Sequence, residues 1–513
     1  MNAGGPRRTV TILLFVIIAG FLVSALIAAR VKAPWSDEGW FACPAYNLAF
    51  HGFMGTSVLE PSGHFLNAYM RGIQQRTYEM PPLYMVTLAG WFRVFGFGLL
   101  TTRALSTVWG LVALLALFFL IRKLTNTTVA LLAAGILACD FTFVWASAEG
   151  RMDVMCTALS LTALALYVNL RESRFMTAFI GANVCLAAAF ITHPNAMMAF
   201  AGLLYLVWHY DRRRIRFRHL LIGAAPYVVA LAAWSVYIMQ DPSDFRAQFL
   251  ANAAGPGSVR LEGFLQPWNA MWKEVLLRYG VFYAFNHVWW VPGYRSPWMV
   301  AILVMYFGAA LFLWSRREVR ANDGQRVLLI LLGVWFLVMT FFVGFKTPMY
   351  LVYAIPLWDA VLALCVWKCW SKGRVAQGLA VAALATFVVL NWQSLWLKCR
   401  ENAYANEWVP SVDFIRPYTE QGARVYAISA LGFDIDFRRF TDDGRLGLYT
   451  HKTADVILID YSYQWWLGRF EAMERPVYDY IESLLASKYH VANKSGSFIV
   501  YVRNGYELPP VRR

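Results

Sequence analysis

The chain has 513 residues, of which 59% are apolar and 15% charged, and its mean hydropathy is +0.46. A soluble protein is about 45–50% apolar and about 25% charged, so this composition excludes a soluble globular protein, and it equally excludes a disordered chain. The 46 Lys and Arg outnumber the 31 Asp and Glu and give a net charge of +15. The positions of these basic residues indicate membrane orientation and not a nucleic-acid partner.

Eleven segments are predicted to be membrane-spanning helices, because each approaches the length of about 17–25 mostly apolar residues that a span needs. In chain order they cover residues 9–29, 99–121, 129–147, 152–170, 175–191, 194–209, 219–239, 298–314, 326–345, 349–367 and 375–396. No small-residue cleavage pattern follows the first segment, so we predict a retained helix rather than a signal peptide.

Basic residues predict the orientation of these helices. With the N-terminus inside, the short outer connections carry only Arg151 and Lys346. The inner connections carry Arg7, Arg8, Arg122, Lys123, Arg171, Arg174, Arg212, Arg213, Arg214, Arg216, Arg218, Arg316, Arg317, Arg320, Arg326, Lys368, Lys372 and Arg374. A twelfth crossing at 81–97 would invert every later loop, so this segment is predicted to be a helix at the outer interface.

The predicted outer side contains two long loops, 30–98 and 240–297, and a polar tail. The tail pattern predicts a helix over 407–419 and strands over 424–429, 455–461 and 498–503. The expected architecture is therefore an α-helical multi-pass membrane domain, residues 1–399, followed by a small extracytoplasmic α/β domain, residues 400–513.

Acidic residues from three distant stretches are expected to meet at the outer rim. Asp37 and Glu38 stand in SDEGWF, Glu79 stands in YEMPPLY, and Glu149 and Asp153 flank an arginine in AEGRMD. Charged groups near a span are costly and are by default functional, so their convergence predicts an active site that faces the outer compartment. The alternative is structural, because acids at helix N-termini also stabilise the helix dipole.

Few basic groups are predicted on that side. Arg151, His193 in ITHPNA, and Lys346 with Tyr350 in FKTPMYLVYAIP could hold a phosphate at the lipid boundary. Instead of binding a phosphate, Lys346 could be a snorkelling lysine, and His193 could be an ordinary histidine that stabilises the C-terminal end of a helix. No glycine-rich nucleotide-binding loop follows a strand, so the donor of a transferase should be carried in the bilayer. Asp140, inside the third span, is expected to bond a neighbouring helix.

These motifs resemble those of the GT-C glycosyltransferases, and within them the branch of protein O-mannosyltransferases and the lipid A aminoarabinose transferase. The resemblance covers residues 10–400 and implies transfer of a sugar from a polyprenyl-phosphate carrier to an extracytoplasmic acceptor, which could be a protein, lipid A or a glycan, usually with inversion. It implies Asp37 as general base, Glu38 in acceptor binding, and Asp153 with Arg151 as the second acid motif. The aminoarabinose branch has a lysine where this chain has Met80, so Lys346, Arg151 or His193 would contact the phosphate.

Other functions stay open at this point. A divalent metal is possible at the rim acids, although no metal-ligand spacing stands out. A transporter or flippase would need a polar path through the bundle, and a membrane scaffold would tolerate loss of the rim acids. The expected location is the inner, or plasma, membrane of a bacterium.

Overall fold

The computed structural model describes residues 5–60, 70–250, 262–285 and 297–507. The helices of the described part are α1 Gly5–Val31, α2 Ser36–His51, α3 Leu83–Phe95, α4 Leu99–Leu124, α5 Thr127–Cys139, α6 Phe141–Ser147, α7 Asp153–Leu170, α8 Phe175–Phe190, α9 Met197–Asp211, α10 Phe217–Ile238, α11 Pro242–Phe245, α12 Glu262–Leu265, α13 Pro267–Lys273, α14 Val300–Ser315, α15 Arg317–Ala321, α16 Asp323–Phe342, α17 Leu351–Trp370, α18 Arg374–Glu401, α19 Val409–Glu420, α20 Tyr461–Met473 and α21 Arg475–Lys488. Short 3₁₀ or π turns cover Pro194–Ala196, Arg246–Leu250, Glu274–Phe285, Pro297–Met299, Pro348–Tyr350, Tyr404–Trp408, Ser429–Phe433 and Phe437–Arg439.

A helix lies at each of the eleven predicted spans. Among the described residues, seven helices are long and apolar enough to cross a membrane, and the pair α5 and α6, bent by 66° at a break, would be an eighth. The other three, α8, α9 and α14, have 16, 15 and 16 residues. With 13 residues α3 is too short to cross, in agreement with the interfacial helix predicted at 81–97. The protein is a multi-pass helical membrane protein.

Small residues allow the spanning helices to pack closely. A Cβ on Gly110 of α4 would collide with Phe21 of α1 and with Ser147 of α6. Close approach through small side chains is how helices associate in lipid, where hydrophobicity alone gives no driving force. It brings the break between α5 and α6 into the centre of the bundle.

The C-terminal part contains a five-stranded sheet in the order β2-β1-β3-β5-β4. Its strands are β1 Val425–Tyr426, β2 Phe440–Thr441, β3 Val456–Ile459, β4 Tyr489–Ser495 and β5 Phe498–Arg503. Strand β1 pairs in parallel with β2 and β3, and β5 pairs antiparallel with β3 and β4. The three predicted strands and the helix near 407–419 are confirmed, and a small α/β unit is present as expected. The division at residue 400 stays a prediction.

The α/β unit packs directly on α2. The side chain of Ser429 donates a hydrogen bond to the carbonyl of Ser36 at 3.2 Å, and a Cβ on Gly39 would collide with the backbone of Ser429 and Ala430. A glycine is therefore required in SDEGWF for this contact. The helix α2, which carries Asp37 in its first turn, is held by both the spanning helices and the C-terminal unit.

Candidate active site

A cavity opens where α1, α6, α7 and the α/β unit meet. It encloses about 630 Å³ including its open mouth. Its lining consists of Lys32, Phe141, Thr142, Trp145, Ala146, Glu149, Arg151, Asp153, Phe282, Pro348, Met349 and Tyr461. Charged groups, aromatic rings and one side chain of the C-terminal unit thus share a single space.

Arg151 is the centre of the charged groups around this cavity. Its Nη1 contacts the Asp37 carboxylate, and its Nε donates to Oδ2 of Asp153 at 2.8 Å. The other oxygen of Asp153 accepts a hydrogen bond from the Tyr353 hydroxyl at 2.9 Å. Asp153 is buried, whereas 31% of the Asp37 side chain is exposed. Two acids predicted to converge from separate stretches therefore do so through one guanidinium, and Asp37 is the more accessible one.

Glu38 points away from the cavity into a buried clamp. Nε and Nη2 of Arg103 donate to its two oxygens at 2.8 and 2.6 Å, and the backbone N–H of Gly150 donates at 2.9 Å. Burial opposes ionisation, but the Arg103 guanidinium outweighs it and holds the pKa of Glu38 below its usual range. The pair joins α2, α4 and the turn that carries Arg151.

Lys32 and Glu149 form a second buried pair on the cavity wall. Their Nζ and Oε1 atoms are 3.0 Å apart, and the ammonium lies 4.9 Å from the centre of the Trp145 ring. Burial lowers the pKa of Lys32 and raises that of Glu149, because their mutual attraction offsets only part of the desolvation. This wall presents little net charge.

His193 and Tyr350 flank the Arg151 centre. The two rings are 5.4 Å apart, and the His193 ring is 5.7 Å from that of Tyr353. Nδ1 of His193 accepts the backbone N–H of Asn195 at 3.1 Å. Burial lowers the pKa of His193 to about 4, so the ring is neutral and carries its proton on Nε2.

Lys346 is occupied by protein groups. Its Nζ lies 2.8 Å from Oε2 of Glu274 and donates to the carbonyls of Met339 and Thr340 at 2.9 and 2.7 Å. Glu274 also accepts from Nε of Arg278 at 2.6 Å, and that guanidinium lies 5.8 Å from the Tyr350 ring centre. Lys346 thus supports the site through neighbouring side chains, and its predicted direct contact with a phosphate would require these bonds to break.

Glu79 is half-buried and, within the described part of the chain, makes no hydrogen bond or ion pair. Burial raises its pKa to about 7, so the carboxyl changes charge near neutral pH. The carboxyl lies within electrostatic range of Tyr350.

A metal between the rim acids does not fit this arrangement. The space between Asp37 and Asp153 is filled by the Arg151 guanidinium, which supplies the positive charge that a bridging ion would supply. Among the described residues no group of three His, Cys, Asp or Glu side chains is arranged to hold a metal ion.

The structure brings together Asp37, Glu38, Glu149, Arg151 and Asp153, and places His193, Tyr350 and Glu79 beside them. Several buried or cavity-lining groups were not predicted from the sequence: Lys32, Arg103, Arg278, Tyr353 and Tyr461. Arg103 gave a signal, because an arginine inside an apolar run of 26 helical residues needs a buried partner. Tyr461 gave none, because its approach depends on how the tail folds back.

Comparisons with known proteins identify the fold. Residues 79–239 match the family model described as dolichyl-phosphate-mannose-protein mannosyltransferase. The fold matches ArnT from Cupriavidus metallidurans bound to undecaprenyl phosphate, with a TM-score of 0.60 and 11% identity over 95% of this chain and 97% of that chain. This chain has the GT-C glycosyltransferase fold.

Another GT-C structure extends the likeness. The Archaeoglobus fulgidus oligosaccharyltransferase in its apo form has a TM-score of 0.53 and 11% identity over 96% of this chain and 75% of that chain. The same archaeal enzyme in complex with an inhibitory peptide and a dolichol-phosphate has a TM-score of 0.52 at 11% identity, over 97% and 75%. No curated protein sequence matches the chain. At such low identity these likenesses show a shared GT-C fold, and a shared fold does not indicate shared substrates.

Proposed function

We propose that the protein is a glycosyltransferase that moves a sugar from a polyprenyl-phosphate carrier to an acceptor on the outer side of the membrane. The family model over residues 79–239 describes a mannosyltransferase that uses a lipid phosphate. Similar structures contain undecaprenyl phosphate or dolichol-phosphate. The membrane-embedded fold and the absence of a nucleotide-binding loop in the sequence support the same class of donor.

The observation that carries the proposal is the half-buried Asp37 carboxylate, which pairs with Arg151, a residue of the cavity wall. The ion pair keeps Asp37 ionised, as a general base must be, while its partial exposure leaves room for an acceptor. In the proposed reaction the oxygen of the acceptor hydroxyl attacks the anomeric carbon, and Asp37 takes the proton of that hydroxyl.

We infer that Arg151 and two groups near it supply hydrogen-bond donors to a departing phosphate. Within the described residues, three donors have no hydrogen-bond acceptor: Nη2 of Arg151, Nε2 of His193 and the hydroxyl of Tyr350. Charge develops on the lipid phosphate as the glycosidic bond breaks, and fixed donors at that point lower the barrier. Base and leaving group on opposite sides of the sugar give inversion in a single displacement.

The other acids have supporting roles in this scheme. One oxygen of Asp153 accepts a hydrogen bond from Arg151 and the other accepts one from Tyr353. Both oxygens of Glu38 accept hydrogen bonds from Arg103. We infer that Asp153 fixes the direction of Arg151 and that Glu38 fixes α2, the helix that carries Asp37 in its first turn. Tyr461, from the C-terminal unit, lines the cavity, and we infer that it contacts the acceptor.

Orientation completes the proposal. From the basic inner loops we infer that the rim, the cavity and the α/β unit face the outer side of the inner, or plasma, membrane. A donor presented in the outer leaflet and an acceptor from the periplasm would then meet in the cavity.

Mass spectrometry of a deletion strain tests the function. We expect one lipid-phosphate sugar to accumulate and one modified envelope component to disappear. Expression of the wild-type chain should reverse both changes, whereas Asp37→Asn at equal expression should reverse neither. Unchanged lipid-linked sugars and envelope glycans in the deletion strain would contradict the proposal.

A further inference from the structure

Two carboxylic acids lie in the centre of the helical bundle, away from the rim. Asp140 stands at the break between α5 and α6, and Asp359 stands in the middle of α17. The hydroxyl of Tyr306, on α14, lies 2.7 Å from Oδ1 of Asp359 and 3.1 Å from Oδ2 of Asp140. All three side chains are 0% exposed. Three separate helices are thus joined through one hydroxyl.

The number of hydrogens in this cluster follows from its geometry. A tyrosine hydroxyl has one hydrogen and can donate it to one acceptor. Both contacts are within hydrogen-bond distance, so the second must be donated by a carboxyl group to the tyrosine oxygen. One of the two acids therefore carries a proton in this arrangement.

The surroundings give no other source of neutralisation. No ion pair of the described residues includes Asp140 or Asp359. The polar and titratable groups near the three side chains are neutral ones from the adjoining helices: Cys139, Thr142, Tyr283 and Asn391. Two carboxylates without a cation would be very costly in a membrane interior.

Hydrogen bonding indicates which acid carries the proton. Oδ1 of Asp140 accepts the backbone N–H of Phe143 at 2.9 Å, and its Oδ2 faces Tyr306, so both of its oxygens have partners. Oδ2 of Asp359 is buried without a hydrogen-bond partner among the described residues. Burying an oxygen without a hydrogen-bond partner costs far less free energy when the acid is neutral than when it is a charged carboxylate.

We propose that Asp140, Tyr306 and Asp359 form an intramembrane proton-binding site in which Asp359 is held protonated at neutral pH. Asp359 donates to the Tyr306 oxygen, and Tyr306 donates to Asp140. The site is independent of the transfer reaction proposed above. Its place gives it a structural consequence for the cavity, because Phe141 and Thr142, directly after Asp140, line the cavity wall. The bound proton stabilises the bent helix that forms this wall.

Infrared difference spectroscopy of the full chain in lipid nanodiscs tests the site. The wild type minus Asp359→Asn spectrum at neutral pH should contain the carbonyl band of a protonated carboxyl. The band should persist in Asp140→Asn, because Tyr306 can still accept from Asp359. Using a Glu79→Gln background throughout removes a rim carboxyl that titrates near neutral pH.

Three results would overturn the proposal. The first is a wild type minus Asp359→Asn spectrum without a protonated-carboxyl band. The second is loss of the band on substitution of Asp140→Asn only. The third is a band that is present only when choline replaces sodium and potassium. The last would identify a site for a metal cation instead of a proton. If Asp359→Asn does not fold, Tyr306→Phe serves in its place. That variant removes the hydroxyl and should shift the band to higher frequency, and an unshifted band would equally contradict the site.

Discussion

The rim and the centre of the bundle treat buried acids in opposite ways. At the rim Glu38, Asp153 and Glu149 each have a cationic partner, whereas in the centre Asp140 and Asp359 have a tyrosine hydroxyl. Equal burial therefore leads to different charge states, because the neighbouring group decides. The rim retains fixed charges of the kind that a charged leaving group requires, and the centre remains close to neutral as a membrane interior requires.

Breaking the most buried rim pair should give the largest effect. Glu38→Gln leaves the Arg103 guanidinium without its counter-ion at 0% exposure, and loss of one member of a buried pair costs about 3–5 kcal/mol. We expect a matching loss of unfolding free energy in detergent, while Glu172→Gln, at an exposed pair, should change little. A loss below about 1 kcal/mol would show that the clamp is not needed for the fold.

The same pair predicts an acid dependence of stability. Arg103 holds the pKa of Glu38 below its usual value in the folded protein. The pair therefore makes its full contribution to the free energy of unfolding above the ordinary glutamate pKa. That contribution disappears as the pH falls through the lower pKa of the folded state. The wild type should lose more stability than Glu38→Gln over that acidic range, as measured by thermal unfolding at a series of pH values. Parallel curves would contradict this assignment.

Removing the cation shared by two rim acids should strongly reduce transfer. Arg151→Gln leaves Asp37 and Asp153 without their common partner and deletes a donor to the departing phosphate. Loss of one such donor lowers turnover by about 10²–10³-fold. The exposed Arg174→Gln variant is the control for expression and folding. Turnover within about threefold of wild type would remove Arg151 from the mechanism.

Lys346→Ala should have a smaller effect, on donor binding. Its loss removes one of the two cations on Glu274 and loosens Arg278 beside Tyr350. We expect donor affinity to fall about 3- to 10-fold, which corresponds to about 1 kcal/mol. Lys372→Ala, at an exposed pair with Glu318, is the matched control. Equal donor affinities for the two variants would show that Lys346 does not support the donor site.

Glu79 should give the smallest effect, visible as a pH dependence. With a pKa of about 7, the carboxyl is neutral below that value and negative above it, where it repels a phosphate. Donor affinity of the wild type should therefore fall a few-fold, by about 1 kcal/mol or less, as pH rises through neutrality. Glu79→Gln should remove this dependence, and retention of the full dependence in that variant would assign it to another group.

Local pattern was enough to predict the helices and the convergence of the rim acids. Apolar length located the spanning segments, and the distribution of basic residues separated α3 from them. The partners of the acids were not predictable, because Arg103 with Glu38, and Tyr353 with Asp153, are brought together only by helix packing. The edge strand β4 was missed because most of its residues are polar and only its first residue is buried.

The most direct test of the central claim is a comparison of donor binding and turnover in purified Asp37→Asn and wild-type protein. Asparagine preserves the shape of Asp37 but cannot accept the proton of an attacking hydroxyl. We predict an unchanged affinity for the polyprenyl-phosphate sugar and a turnover lower by about 10²–10⁴-fold. Wild-type turnover in Asp37→Asn would contradict the account of the rim as the site of transfer.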